Sequence, residues 1–165
     1  MKFHSRVVYY EPLTISHELL QMIEYKNRQV YHEYFIDAKY DAGMVLLGTE
    51  IKSLRQGKVS FNDSYCLLDD GEIWLKSLHI AEYSHGTTQN HDPLRDRKLL
   101  LEKREIKKIA AKLKEKGYTL VPLSIYFKDR LAKIEIGLAK GKKHHDKRES
   151  IKQKDVEREM KRFLK

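Results

Sequence analysis

The chain has 165 residues, 41% of them hydrophobic, which suffices for one sizeable core and argues against two. Its 33 Lys and Arg outnumber its 24 Asp and Glu, and the net charge of +9 points to an anionic partner, nucleic acid first among them. A single cysteine, Cys66, excludes an intrachain disulfide and a CxxC metal site. No apolar run has the length of a membrane span or a secretion signal, so a cytoplasmic protein is expected.

In chain order, residues 1–26 read as a leader with one short helix, since Ile15, Leu19, Met22 and Ile23 fall at i, i+4, i+7 and i+8 and Thr14 or Ser16 can cap it. Residues 32–47 turn to strand formers, with Gly43 suited to a bulge or bend. A short helix follows over 48–55, Thr49 near its start and Gly57 fitting the position just past its end. Strands over 64–68 and 72–76 flank Asp69-Asp70-Gly71, a hairpin signal, and residues 78–83 continue the sheet. Trp74, in mid-strand, is expected in the core. After a polar loop to Asp92, a second helix is predicted over 98–116, with Leu99, Ile106, Ile109 and Leu113 on one face and Gly117 ending it. Residues 118–127 and 131–140 give two more strands, joined by a tight turn at Lys128-Asp129-Arg130. In the last strand Ala132, Ile134, Ile136 and Leu138 alternate with Lys133 and Glu135. About six short strands with two or three helices in one basic domain predict a mainly β fold, an OB-like closed antiparallel barrel over 27–145.

The tail, 146–165, has no strand pattern. Between Lys140 and Lys165 lie 11 basic and 5 acidic residues, a net of +6, so most of the chain's excess charge is here. Val156, Met160, Phe163 and Leu164 recur at helical spacing, and Glu157 can pair with Lys161. A helix so short and polar is marginal in water, which predicts a tail that is disordered alone and helical on a surface.

For chemistry, the strongest segment is Lys140-Gly141-Lys142-Lys143-His144-His145-Asp146-Lys147-Arg148. Five cations in nine residues can neutralise several phosphates, the imidazoles can stack or bond to phosphate, and Gly141 lets the backbone approach a sugar–phosphate chain. The bland alternative is a solvated strand end. Arg95, Arg97 and Lys98 form a second basic cluster, whereas the lysines that follow them suit an ordinary solvated helix face. His79, His85 and His91 stand six apart and match no usual zinc spacing, and no P-loop, nucleophile elbow or carboxylate pair suggests catalysis. Neither cofactor nor metal is expected.

These residues carry a family pattern. Asn27-Arg28, His32-Glu33-Tyr34-Phe35-Ile36, Gly48-Thr49-Glu50-Ile51-Lys52-Ser53-Leu54-Arg55, Asp63-Ser64-Tyr65, Arg95-Asp96-Arg97-Lys98-Leu99-Leu100-Leu101 and the run from Lys140 to Arg148 resemble, in order and spacing, the SsrA-binding protein (small protein B) family, from about Asn27 to the C-terminus. The resemblance implies an OB barrel, monomeric and non-catalytic, that binds the tRNA-like domain of transfer-messenger RNA. It further implies that the protein aids alanyl charging of that RNA and, with elongation factor Tu, delivers it to stalled ribosomes for trans-translation, elongation factor Tu and alanyl-tRNA synthetase being indirect partners. Carried over by motif, Asn27, Arg28, Glu50, Lys52, Ser53, Arg55, Arg95, Arg97 and Lys98 would lie at or near RNA, as would Lys140, Lys142 and Lys143. His145, Asp146, Lys147 and Arg148 would face the decoding centre, and the tail helix would sense an empty message channel. The leader departs from the very basic start usual in the family, and Met22, opening Met-Ile-Glu-Tyr-Lys-Asn-Arg, is an alternative start. Two other readings remain: an RNA-processing enzyme or its subunit, separable by a metal-dependent cleavage assay, and a general single-strand binder built on exposed aromatics.

Overall fold

A computed structural model describes residues 24–86, 90–128, 131–143 and 160. The expected leader helix, Asp129 and Arg130 of the expected turn, and all of the tail but Met160 lie outside these residues. The order of elements is β1 (Glu24–Lys26), α1 (Arg28–Glu33), β2 (Tyr34–Met44), α2 (Gly48–Arg55), β3 (Val59–Ser60), β4 (Tyr65–Asp69), β5 (Glu72–Lys76), β6 (His79–Ile80), β7 (Arg97–Leu100), α3 (Lys103–Leu113), β8 (Tyr118–Lys128) and β9 (Leu131–Gly141).

The main sheet runs β1-β8-β4-β5-β7-β2-β9, every pairing antiparallel, and β9 also pairs with β8. That last pairing closes six strands into a ring, with β1 added to the free stretch of β8. The fold is therefore mainly β and an OB-like barrel. Alternation on β9 puts Ala132, Ile134, Ile136 and Leu138 inside, where they meet Leu120, Ile125 and Phe127 of β8, Ile73 and Leu75 of β5, Leu99 of β7 and Ala42 of β2. Fully burying one such side chain stabilises by roughly 1.5–3 kcal/mol. α3 lays Ile109 on this core and α2 adds Leu54, while α1 covers the outer side of β8 and β9 by packing Val30 against Val121, Leu123 and Ala139.

The hairpin forms as expected. Asp69 pairs with Glu72, and Asp70 (φ 45°) with Gly71 (φ 73°) makes the doubly left-handed two-residue turn that matches strand twist. Gly57, at φ 75°, ends α2, and Gly117, at φ 92°, follows α3.

Five expectations change. His32 and Glu33 belong to α1, capped by Asn27, so the strand begins only at Tyr34. The register of β2 on β9 skips between Ile36 and Ala38, which makes Asp37 the bulged residue; Gly43 stays paired, facing both Lys133 and Leu100. Of 78–83 only His79 and Ile80 are strand, paired with β3 in a separate two-stranded ribbon. The predicted helix over 98–116 is strand β7 followed by the shorter α3, because Arg97 and Leu99 alternate inward on the sheet before the helical stripe of Ile106, Ile109 and Leu113 begins. Trp74 is half-buried on the opposite side of β5 from Ile73 and Leu75, outside the core.

Candidate RNA-binding surface

The helix motif 48–55 is built largely inward. Glu50 is 0% exposed; its carboxylate accepts hydrogen bonds from the Leu47 backbone N–H (2.6 Å), from Arg95 through Nε (2.8 Å) and Nη2, and from Arg97 Nε (2.8 Å). Arg97 is also 0% exposed and donates through Nη1 to the carbonyls of Leu78 and Arg95 and through Nη2 to that of Pro93. Burial pushes the Glu50 carboxyl up, and the hydrogen bonds from Arg95 and Leu47 together with the Arg97 charge outweigh it, holding the group below the usual carboxylate range. Burial likewise draws the Arg97 guanidinium down while Glu50 holds it up. Thr49 adds a second tie, its hydroxyl 2.9 Å from His91 Nδ1, while His91 Nε2 lies 3.0 Å from the Ile80 carbonyl. Since a carbonyl only accepts, Nε2 carries the proton. These ties fasten the N-terminus of α2 to the segment ahead of β7.

The sequence-predicted residues thus divide. Glu50, Arg97 and Ser53 are interior, Ser53 with no partner for its hydroxyl among the described residues, so none of the three presents its side chain at the surface. Asn27, 7% exposed, is a helix cap: its side chain accepts from the Val30 N–H and donates to the Pro122 carbonyl, and its own N–H reaches the Leu123 carbonyl. Arg95 is a quarter exposed on Glu50, and Lys98 is paired with Glu72. Arg28 and Lys52 are exposed, Lys52 with its ammonium 5.2 Å from the Tyr83 ring centre; Arg55 is partly exposed, its buried Nε without a hydrogen-bond partner among the described residues.

The basic strand end is a different surface. Lys140 on β9 stands between Phe35 of β2 and Tyr118 of β8 in one cross-strand row, on the side of the sheet that farther along forms the core, so the three sit at an open end of the barrel. Lys140 Nζ lies 4.2 Å from the Tyr118 ring centre and Lys142 Nζ 4.7 Å from that of Phe35. Lys142 also donates to the Tyr31 carbonyl (3.1 Å), and its backbone N–H to that of Glu33 (2.8 Å), anchoring the chain as it leaves the barrel. The bulge at Asp37 lets that carboxylate accept from the Tyr118 hydroxyl at 3.0 Å. Lys143 is exposed. Sequence reasoning missed Phe35 and Tyr118, which the β2–β9 and β8–β9 registers bring to either side of Lys140. His145, Asp146, Lys147, Arg148, Val156, Phe163 and Leu164 lie outside the described residues, and Met160 is exposed. Among the described residues no three His, Cys, Asp or Glu gather as a metal site, and no helix is long and apolar enough to cross a membrane.

Comparison with known proteins matches residues 24–165 to the family described as SmpB protein. The SsrA-binding protein of Geobacter metallireducens is 58% identical over 138 residues, covering 84% of this chain and 90% of that one. Those of Geobacillus kaustophilus and Fervidobacterium nodosum are 52% and 54% identical, covering 83% and 84% of this chain and 88% and 94% of theirs. A chain from a solved structure described as "tmRNA-SmpB: a journey to the center of the bacterial ribosome" shares the fold with a TM-score of 0.63 and 47% identity, over 78% of this chain and 94% of its own.

Proposed function

Since the chain belongs to the SmpB protein family, we propose that it is an RNA-binding adaptor, with no reaction of its own, that binds the tRNA-like domain of transfer-messenger RNA and carries it to stalled ribosomes. The observation that carries this reading is the agreement of the family match, which spans the whole described barrel, with a barrel end where Lys140, Lys142 and Lys143 converge. Ammonium groups spaced along a strand end suit the phosphates of a folded RNA, which proteins recognise by shape and backbone more than by base edges. Arg28, Lys52 and Arg55 extend the cationic surface, and Glu50, Ser53, Asn27, Arg95, Arg97 and Lys98 act from behind it, holding α1, α2 and β7 in place.

In this reading 27–145 is the RNA-binding unit and 146–165 the sensor, with 1–26 a separate leader. His145, Asp146, Lys147 and Arg148 approach the decoding centre, and Val156, Met160, Phe163 and Leu164 form the apolar stripe of a helix that orders in a message channel left empty. Message in the channel competes sterically for the same path, which makes binding conditional on a stall. Bound RNA is presented for alanyl charging and travels with elongation factor Tu, all in the cytoplasm.

The test is binding to the tRNA-like domain against ordinary tRNA and single-stranded RNA of equal length, across a salt series. Preference for the tRNA-like domain that persists at moderate salt supports the reading. Equal and steeply salt-dependent binding to all three overturns it.

A further inference from the structure

We propose that Phe35 is a stacking seat for one unpaired nucleobase, set beside lysines that take the flanking phosphates. The proposal rests on the functional reading above and specifies what that surface recognises. Phe35 is 53% exposed, the one apolar residue of β2 that is, in a row with Lys140 and Tyr118. Leaving a Phe ring in water forgoes the gain of burying it, which is the ordinary fate of a β-strand Phe. The ring sits where the barrel end opens, not in the core, and the Lys142 ammonium lies 4.7 Å from its centre. An ammonium is held only weakly on an exposed ring, so a base can displace it and the lysine can turn to the adjoining phosphate. Lys140, next in the row, is placed alike over Tyr118 at 4.2 Å. Tyr118 is tied to Asp37 by its hydroxyl and to Lys140 by its face, and is half-buried, so Phe35 is the ring left accessible. An apolar, π-faced platform flanked by cations is the combination that proteins use to hold a splayed-out base.

Unpaired bases occur both in the loops of a tRNA-like domain and in ribosomal RNA, and the chemistry is the same for each. The experiment uses the full chain with F35L and F35W, checked for unchanged melting, and three probes: the tRNA-like domain, small ribosomal subunits, and a fully paired RNA duplex of matching length. F35L is expected to bind at least one of the first two about tenfold more weakly, with duplex binding unchanged and F35W close to wild type. The probe that loses affinity names the source of the base. A 2-aminopurine placed at candidate loop positions should lose fluorescence on binding wild type and F35W, and keep it with F35L. Affinity of F35L unchanged from wild type for both the tRNA-like domain and the small subunit, equal loss on all three probes including the duplex, or failure of F35W to restore binding each overturns the stacking seat. Failure of the functional reading is seen separately, as wild type without preference for the tRNA-like domain.

Discussion

Replacing Glu50 by Ala removes the acceptor on which four donors converge and leaves the Arg97 guanidinium, itself fully buried, without a counter-charge. Breaking a buried pair on one side costs about 3–5 kcal/mol, because the remaining charge cannot reach water. Against a total stability of about 5–15 kcal/mol this is a large fraction, and for a chain of this size it should lower the melting temperature by about 10 °C. The measurement is urea unfolding followed by far-ultraviolet dichroism for wild type, E50A, R97M and the double variant. The double variant should be more stable than E50A alone, since a well-packed apolar pair lacks the desolvation cost. The pH dependence has a definite sign: a carboxyl held below its unfolded value of about 4.3 contributes fully above that pH and loses its contribution as pH falls through the folded value. The gap between wild type and E50A should therefore narrow in acid. A cost for E50A below about 1 kcal/mol, or a double variant no better than E50A, refutes this account of the network.

G137A is expected to destabilise by about 1–3 kcal/mol in the same unfolding assay, because an added Cβ would stand 3.1 Å from both methyls of Leu123, inside the layer beneath α1. Burial pushes the Cys66 thiol well up from its ordinary value, so iodoacetamide at pH 8 should leave the native protein unlabelled and label it fully in guanidinium. K140A and K142A should each lower the slope of log K against log salt for the tRNA-like domain by about 1 without changing the melting temperature appreciably.

Much of the barrel was legible because its strands advertise themselves. The alternation from Ala132 to Leu138 and the Asp70-Gly71 turn each set a local geometry that tertiary packing then kept. β7 was not legible: four residues are too few to display a two-residue period, and Leu99 happens to continue the helical spacing of Ile106, Ile109 and Leu113. Gly43 is the position whose backbone freedom suits a bulge, but the bulge falls at Asp37, where the side chain finds the Tyr118 hydroxyl 81 residues away. Glu50 marks the same limit for the site. Its motif was visible, yet whether it faces RNA or the interior depends on Arg95 and Arg97, 45 and 47 residues on, and no local pattern reveals that partnership. The lysines at the end of β9 were plain from charge density, whereas the aromatic rings beside them needed the cross-strand register.

The ring is sealed by its last strand, and this orders events during synthesis. β9 lies between β2 and β8, pairing Tyr34 with Gly141 and Tyr118 with Lys140, so while the nascent chain ends short of residue 131 the sheet is an open ribbon with two bare edges. Neither edge can be satisfied by the preceding residues, and both are templates for intermolecular pairing. Because the β2–β9 contacts span about a hundred residues, closure is also the slow step expected of non-local β topology. A copy truncated before β9 would therefore emerge with both of these edges bare and prone to aggregate.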